Sequence, residues 1–320
     1  IYIGGGTPSS IEENYIADII GTIKLNMNEE NLKDFENIEV TIEVNPGTVN
    51  KEKLQVYKKI GINRLSIGLQ ETHNELLKSI GRIHTYEEFI KTYNLARKIG
   101  FNNINVDLMI ALPNQTIQDI KENLEKITKL NPEHISVYSL ILEEGTPFYN
   151  KYNENKIKLP DEELERNMYW YVKNTLENNG YMHYEISNFS KKGFESKHNM
   201  SCWNQEEYLG FGVAAHSYNN KIRYSNTNSI EEYIKGSNKI IHEEQTLEDM
   251  QKEYMLLGLR KIEGINIQKF KNKFAQNPIF IFKEQLNKLV DEELIIVDGN
   301  EIKLTNKGLD LANIVWEEFV

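Results

Sequence analysis

The chain has 320 residues, of which 39% are hydrophobic, and its mean hydropathy of -0.55 is typical of an ordinary globular protein with a sizeable core. The formal net charge of -11 argues against nucleic acid as a partner, because nucleic acid binding needs a basic surface. No apolar run reaches the roughly 20 residues of a membrane-spanning helix, and the first residues do not form an export signal. The sequence therefore predicts a cytoplasmic protein that is not integral to a membrane, although peripheral association with one stays open.

Short β-rich segments alternate with longer amphipathic segments through the first half of the chain. The predicted strands span residues 1–3, 40–44, 64–67, 104–109 and 135–141. The predicted helices, which carry apolar residues at spacings of three and four, span residues 11–25, 51–60, 87–99 and 117–130. Repeated strand and helix units predict an α/β fold with a parallel sheet or barrel and with the helices outside.

The rest of the chain has a different texture. Residues 161–236 are rich in tyrosine, asparagine and glycine, and we interpret them, with a short strand at 181–186, as an extension of the first domain. From Thr246 the pattern predicts three helices, a hairpin turning at Asp298-Gly299-Asn300 and a last helix, which is typical of a winged-helix-like α+β module. The predicted domains are residues 1–240 and 241–320. A packing or lid role is favoured over DNA binding for the second domain, because the chain is acidic.

Cys202 is the only cysteine in the sequence. One thiol cannot form an internal disulfide, and it cannot alone provide the three or four ligands that a zinc or iron–sulfur site needs. The sequence therefore predicts no self-contained metal site in this chain.

Polar and glycine-rich segments follow each predicted strand of the first domain. They are Gly4-Gly5-Gly6-Thr7-Pro8, Asn45-Pro46-Gly47-Thr48, Gly68-Leu69-Gln70, the segment from Asp107 to Pro113, and Glu143-Glu144-Gly145-Thr146-Pro147. In β/α barrels the loops after the strands build the binding site. Three successive glycines let a zwitterionic or phosphate-bearing ligand approach the backbone, although a flexible turn is the simpler alternative. A phosphate loop or a dinucleotide site is disfavoured, because the Gly-Lys-Ser/Thr ending and the required glycine spacing are missing.

Six motifs in a fixed order carry a resemblance to a known family. They are Gly4-Gly5-Gly6-Thr7-Pro8, Glu43-Val44-Asn45-Pro46-Gly47-Thr48, Arg64-Leu65-Ser66-Ile67-Gly68-Leu69-Gln70, Gly81-Arg82-Ile83-His84, the segment from Asp107 to Thr116, and Tyr138-Ser139-Leu140. The chain resembles the oxygen-independent coproporphyrinogen III oxidase family of radical S-adenosylmethionine (SAM) proteins along nearly its whole length. Within that family it is most similar to the HemW-like haem-chaperone branch. The resemblance implies a partial TIM-type (β/α)6 barrel whose first strand would precede Ile1, and we expect the chain to be N-terminally truncated.

The resemblance also implies which residues bind SAM. The backbone of Gly5, Gly6 and Thr7 would take the ammonium group, and Arg82 would pair with the methionyl carboxylate. The remaining polar groups of SAM would fall to three side chains whose individual pairings stay open. These side chains are Glu43, Gln70 and Asp107. Taken singly, Asp107 and Arg82 could equally be a satisfied strand-end carboxylate and a solvated charge.

Radical SAM chemistry uses a [4Fe–4S] cluster, which passes one electron to the sulfonium of SAM. In the family that this chain resembles, three cluster cysteines lie immediately before the glycine segment. We therefore expect the cluster ligands upstream of Ile1, and we expect the chain as given not to assemble the cluster.

A segment in the second half resembles a haem-associated element of the HemW-like branch, His-Asn-x-x-Tyr-Trp. This chain has His198-Asn199-Met200-Ser201-Cys202-Trp203, with Cys202 where the element has tyrosine. The resemblance implies that His198 and Trp203 contact haem; the alternative is a histidine satisfied by Asn199 beside a buried tryptophan. Cys202 is interpreted as a small buried residue rather than as a cluster ligand or a haem attachment site. His216 is a weaker haem candidate, and we interpret it as structural.

Three functions are compatible with the sequence. The first is a haem chaperone that binds haem, SAM and, in the full-length protein, a [4Fe–4S] cluster, and that transfers haem to an acceptor protein. The second is the oxidative decarboxylation of coproporphyrinogen III, and the third is a barrel that binds SAM or a nucleotide without radical chemistry. The element from His198 to Trp203 favours the chaperone. Whether the chain is an enzyme stays open at this point.

Overall fold

The computed structural model describes residues 1–236 and 239–320. The helices are α1 (Glu13–Leu25), α2 (Glu29–Lys33), α3 (Lys51–Ile60), α4 (Asn74–Ser79), α5 (Tyr86–Ile99), α6 (Ile117–Leu130), α7 (Pro147–Asn153), α8 (Glu162–Asn178), α9 (Lys197–Trp203), α10 (Ile230–Ile234), α11 (Leu247–Gly258), α12 (Ile267–Phe274), α13 (Pro278–Ile281), α14 (Lys283–Asp291), α15 (Asn306–Asp310) and α16 (Ala312–Glu317). The strands are β1 (Tyr2–Ile3), β2 (Thr41–Val44), β3 (Arg64–Gln70), β4 (Ile104–Ile110), β5 (His134–Ser139), β6 (Met182–Glu185), β7 (Asn188–Ser190), β8 (His216–Asn219), β9 (Ile222–Asn226), β10 (Lys239–Glu244), β11 (Ile265–Asn266), β12 (Ile295–Asp298) and β13 (Glu301–Leu304).

The contacts between residues divide the chain into two compact units. Unit 1 comprises Ile1–His183 and Ser187–Glu195, and unit 2 comprises Tyr184–Ile186 and Ser196–Val320. Residues 196–236 and 239–240 therefore group with the C-terminal unit, whereas we predicted that they extend the first domain. The boundary between functional domains at residues 240 and 241 stays a prediction.

The α/β class predicted for unit 1 is confirmed. Strands β1 to β5 pair in chain order and run parallel, with a helix between successive strands, and β7 pairs antiparallel with β5. The full order in the sheet is β1-β2-β3-β4-β5-β7-β6. The predicted segments agree with this order, although β3 continues three residues beyond its predicted end at residue 67.

One face of this sheet is apolar. Its side chains alternate along each strand and include Ile42, Val44, Leu65, Ile67, Val106, Ile135 and Val137. They share one core with buried residues of the surrounding helices, such as Ile16, Leu54, Phe89 and Leu124. This burial fixes the register, because a slip of one residue would turn every apolar side chain to the other face.

The opposite face of the sheet is polar. The side chains that point away from the apolar core are named the polar face. They are Tyr2, Thr41, Glu43, Arg64, Ser66, Asn105, Asp107, His134 and Ser136. These residues are register neighbours across β1 to β5, so they lie side by side. In a barrel of parallel strands this is the inner surface, and polar side chains there indicate a ligand rather than a packed core.

Helix boundaries in unit 1 follow local sequence signals. Thr85 and Thr116 each form a capping box with the acidic residue three positions later, at the starts of α5 and α6. Gly61 and Gly100 end α3 and α5 in the left-handed conformation. These caps hold the loops after the strands at defined positions.

Unit 2 contains two small antiparallel sheets, β10-β9-β8 and β11-β13-β12. The second sheet packs with α11 to α16 around a core that includes Met255, Phe270, Leu289 and Ile302. The predicted hairpin is confirmed, because β12 ends at Asp298 and β13 begins at Glu301, with Gly299 at a φ of 58° between them. Within the described residues, no helix is long and apolar enough to cross a membrane.

Candidate functional site

The glycine loop after β1 lies against the polar face. A Cβ atom at Gly4 would lie 2.5 Å from Cε1 of Tyr2 and 2.8 Å from Oε1 of Glu43, so only glycine fits there. Gly5 and Gly6 adopt φ values of 86° and 67°, and apart from their chain neighbours no described residue lies within 4 Å of the Cβ positions that they lack. The loop therefore combines a close approach to β2 on one side with open space on the other.

Glu43 ties the glycine loop to the sheet. Its Oε1 accepts a hydrogen bond from the Tyr2 hydroxyl at 2.7 Å, and its Oε2 accepts one from the Gly5 amide at 3.1 Å. Burial, together with the charge and hydrogen bond of Glu43, raises the pKa of Tyr2, so the phenol stays a donor. The two carboxylate oxygens thereby hold Tyr2 and the glycine loop together beside the open side of the loop.

The loop after β2 is hydrogen-bonded to the segment that follows the glycine loop. Ser9 is fully buried, and its hydroxyl lies 2.7 Å from the Thr48 hydroxyl and accepts the Asn45 amide at 3.0 Å. Lys53 of α3 donates to three carbonyl oxygens, those of Ser9, Ile11 and Thr48. The two predicted loops thus form one rigid rim. The Thr7 carbonyl accepts hydrogen bonds from the amide and the hydroxyl of Ser10, and these bonds span the short 3-10 helix Pro8–Ser10.

Asp107 contributes a carboxylate from β4 to the polar face. Its Oδ1 accepts a hydrogen bond from Asn105 at 2.7 Å, and its Oδ2 accepts one from Ser66 at 3.2 Å. Burial raises the pKa of Asp107, while the bonds from Asn105, Ser136 and Ser66 and the charge of Arg64 oppose the rise. A carboxylate held this way is a strong acceptor for hydroxyl groups of a ligand.

Arg82 follows α4 and is partly buried. Burial lowers the pKa of its guanidinium, and the negative charge of Asp107 acts in the opposite direction. Within residues 1–236 and 239–320 the Arg82 side chain takes part in no hydrogen bond or ion pair. A partly desolvated guanidinium with unused donors is suited to pair with a carboxylate ligand.

Gln70 is placed differently from the other predicted residues. It ends β3 at a φ of 66°, where the register with β4 shifts. With its amide nitrogen facing the carbonyls, Gln70 donates to Gly68 at 3.1 Å and to Leu69 at 3.2 Å. The structure thus brings Glu43, Asp107 and the glycine loop to one end of the polar face, whereas the Gln70 amide is folded back on its own strand. Its role toward SAM stays a prediction.

Glu71 is a buried residue that sequence reasoning missed. Its carboxylate accepts hydrogen bonds from the amide of Thr72, from His73, and from the side chains of Gln115 and Asn123 at 2.7 Å and 2.8 Å. These bonds lock the segment after Gln70 to α6 and to the loop before it. A carboxylate that directly follows a buried strand was the available signal, because such a group must find partners.

A second missed group lies at the start of the strands on the polar face. Arg64 is 2% exposed, and its Nε has no hydrogen-bond partner among the described residues. Nearby, Nδ1 of His134 lies 2.6 Å from Oδ1 of Asn105, and burial together with the charge of Arg64 lowers the pKa of His134. The charge of Arg64 lowers the pKa of Asp107 and so opposes the effect of burial, which shows that the two side chains interact on this face.

The predicted haem residues lie on α9 in unit 2. His198 is exposed, while Trp203 is partly buried under the guanidinium of Arg260 at 4.4 Å, which also covers Trp316 at 4.6 Å. Trp203 is five positions after His198, so the two side chains point about 140° apart around the helix. Because the Arg260 guanidinium covers it, one face of the Trp203 ring is packed within unit 2. Haem contact by either residue stays a prediction.

Cys202 lines a cavity of about 340 Å³ in unit 2 together with Gln205, Arg223 and Glu253. The thiol is partly rather than fully buried, and its burial raises the pKa of Cys202. Among the described residues, no group of three or more histidine, cysteine, aspartate or glutamate side chains is arranged to hold a metal ion. An iron–sulfur cluster takes three or four such ligands, and the described residues offer the single thiol of Cys202.

Comparisons with known proteins extend these observations. The model of the radical SAM superfamily matches residues 1–127, and the model of the HemN C-terminal domain matches residues 245–311. Two curated proteins named heme chaperone HemW align with the whole chain. The protein of Lactococcus lactis is 40% identical, with 84% of its length covered, and that of Bacillus subtilis is 38% identical, with 85% covered.

The solved structure of coproporphyrinogen III oxidase (HemN) from Escherichia coli, described as a radical SAM enzyme, superposes with a TM-score of 0.82. It is 23% identical, and the match covers 99% of this chain and 76% of that one. At this identity the match shows the fold alone. The identity to the two HemW proteins extends over the whole chain and therefore shows the family: this chain belongs to the HemW family of radical SAM proteins.

Proposed function

We propose that the chain is a haem chaperone that binds SAM and haem and passes haem to an acceptor protein. The observation that carries the proposal is the 40% identity to a heme chaperone HemW along the whole chain, which includes both units. A haem-associated element with an exposed histidine, His198 on α9, gives the proposal a chemical basis. A cytosolic location is part of the same proposal.

SAM would bind at the rim above the polar face. The ligand carries an ammonium group, a carboxylate and a ribose diol, and we assign these to the open side of Gly5, Gly6 and Thr7, to Arg82, and to the carboxylates of Glu43 and Asp107. Two features support the fit: the unused donors of Arg82, and the space beside the two glycines that no side chain fills. Gln70 belongs to the proposed set, although it would have to release its own backbone to reach a ligand.

Bound SAM supplies a sulfonium group that, in radical SAM proteins, is cleaved with an electron from a [4Fe–4S] cluster. The residues of this chain would do the binding. Glu43 and Asp107 orient hydroxyl or ammonium groups, and the bonds of Lys53 to three carbonyls keep the rim rigid while the ligand is held. Cys202 is a single thiol, and a cluster takes three or four ligands.

Haem would bind in unit 2 through an imidazole. His198 is assigned as an iron ligand, and Trp203 is assigned as the neighbouring aromatic ring of the site. The contact between Trp203 and Arg260 supports a rigid α9, which would hold the histidine in a fixed position.

A haem titration followed by a transfer assay tests the proposal. We expect the chain to bind hemin in stoichiometric amounts, seen as a shifted Soret band, and to pass it to apomyoglobin used as a probe acceptor. Formation of protoporphyrinogen from coproporphyrinogen III with SAM and a reductant would instead assign the oxidase function. Failure to bind hemin at micromolar concentration would contradict the chaperone proposal. Replacement of His198 by alanine should weaken binding at the His198 site at least tenfold.

A further inference from the structure

Two exposed histidines lie side by side on the small sheet β10-β9-β8 of unit 2. The rings of His216 and His242 are stacked, with centroids 5.4 Å apart and an interplanar angle of 16°. Both residues are exposed to solvent. Neither belongs to the element from His198 to Trp203, and His216 was interpreted as structural from the sequence alone.

Strand pairing explains why the two rings meet. His216 of β8 is paired with Ser225 of β9, which is in turn paired with Ile240 of β10, so these three side chains share one face of the sheet. His242 follows at a register irregularity between Ile241 and Glu243. Its Nε2 lies 2.8 Å from the Ser225 hydroxyl, and this contact brings the ring onto the same face.

The imidazole nitrogens of this pair are available to a ligand. Within residues 1–236 and 239–320 no hydrogen bond engages the ring of His216. His242 uses only Nε2, so Nδ1 stays open. By contrast, His84, His134 and His183 are buried. Imidazole is a common ligand of iron and other transition metals. A haem iron offers one axial position on each side of the porphyrin, so one imidazole of the pair is enough to ligate it from this face.

The surroundings of the pair are apolar although they face solvent. Phe211 is 82% exposed, and Ile240, which shares the face of His216, is 46% exposed. Gly210 packs so tightly against the His216 carbonyl that a Cβ atom there would clash, which holds the backbone next to Phe211 beside β8. Exposed aromatic and aliphatic side chains beside imidazole nitrogens suit a flat apolar macrocycle with a central metal better than a hydrated ion.

We propose that His216 and His242 form a haem-binding site, separate from His198, in which an imidazole nitrogen ligates the iron and Phe211 and Ile240 contact the porphyrin. The inference rests on the proposed chaperone function, which makes haem the relevant metal-bearing macrocycle. A surface site of this kind exposes haem on one side, as transfer to an acceptor protein requires.

Hemin titrations of five proteins test the inference: the wild type, the double variant His216→Ala/His242→Ala, His198→Ala, the triple combination, and the control Asn219→Ala at the far end of β8. We expect the wild type to bind two hemin molecules, and both the double variant and His198→Ala to bind one. The triple variant should bind none, and the control should match the wild type. The Soret band and the spin state of the iron report on the ligand, independently of any activity.

The outcomes separate this inference from the proposed function. One hemin lost in the double variant and retained in His198→Ala supports the histidine pair even if the wild type binds only one. Binding that is unchanged within twofold in the double variant but lost in His198→Ala overturns the pair and leaves the chaperone proposal standing. A wild type that binds no hemin overturns both.

Discussion

The two faces of the parallel sheet in unit 1 differ in what they are made of and in what stabilises them. Leu65 and Ile67 are fully buried in the core with the helices, whereas Arg64 and Ser66, each one position earlier along β3, lie on the polar face. The apolar face gains its stability from burial, at roughly 25 cal/mol per Å² of apolar surface. The polar face instead keeps charges out of water in a hydrogen-bonded network.

Because of this difference, alternate residues of the same strand serve different purposes: those on the apolar face stabilise the fold, and those on the polar face are available to bind a ligand. The carboxylate of Asp107 has a pKa that burial raises, so its charged form is held at a cost to stability. Functional sites commonly contain such perturbed groups. We therefore expect substitutions on the apolar face to change stability and substitutions on the polar face to change SAM binding.

The largest effect is expected on the apolar face. Leu65→Ala removes a fully buried side chain and leaves a cavity, which should lower the free energy of unfolding by about 2–5 kcal/mol. The SAM affinity of the folded fraction should stay within twofold of the wild type. Urea denaturation and calorimetric titration measure the two quantities. A tenfold loss of affinity with little loss of stability would break the comparison.

A smaller effect, on binding alone, is expected at the rim. Arg82→Gln removes the charge that we assign to the SAM carboxylate and should weaken SAM binding by about 1.5–3 kcal/mol, or roughly 10- to 100-fold. Stability should change by less than about 0.5 kcal/mol, because the side chain has no bond to lose within the described residues. Arg82→Lys is the matched control and should keep part of the affinity. Unchanged binding in Arg82→Gln would remove this residue from the site.

Asp107→Asn should separate the two properties in opposite directions. The substitution removes a buried charge and should stabilise the fold at neutral pH by about 0.5–2 kcal/mol while it weakens SAM binding. Because the pKa is higher in the folded chain than in the unfolded chain, the folded state binds the proton more tightly. The stability gap between variant and wild type should therefore shrink as the pH falls through the folded-state pKa. A variant that is less stable than the wild type at pH 7 would contradict this reasoning.

The smallest effect concerns the segment after Gln70. Burial acts to lower the pKa of His73, but its bonds to Glu122 and Glu71 outweigh burial and raise the pKa. The stability from these contacts is therefore complete below the ordinary histidine pKa, roughly 6.5, and is lost as the pH rises through the higher folded-state value. Since His73 is 30% exposed, we expect a change below about 1 kcal/mol. Denaturation curves between pH 6 and pH 9 should show this slope, and His73→Gln should remove it.

Much of the fold could be predicted because its signals are local. The bounds of α3 and α6 agree with the predicted residues 51–60 and 117–130, since apolar periodicity and caps define them within a few residues. The extension of β3 to Gln70 was missed because a register shift against β4 creates it, and register depends on a strand far along the chain. The sheet β10-β9-β8 was not predicted, because its short strands carry no clear alternation.

The candidate site could be predicted in part. The positions of the glycine loop and Asp107 after or within predicted strands marked the rim, and the family resemblance implied that they and Glu43 bind SAM, which stays a prediction. Glu71 was missed because its partners Gln115 and Asn123 lie 44 and 52 residues away, which local sequence does not reveal. A period of two in polar residues, as in Arg64 and Ser66, was the available signal for the polar face.

Hydrogen exchange of the chain with and without saturating SAM tests the central claim most directly, because it locates the ligand without altering any residue. The account predicts slower amide exchange in the segments that build the rim of the polar face, namely residues 4–10, 43–48, 68–73, 80–84 and 105–113. Exchange in the outer parts of α3 and α5 should stay unchanged. Protection confined to those helices, or no protection in the rim segments at saturating SAM, would contradict the assignment of this face as the binding site.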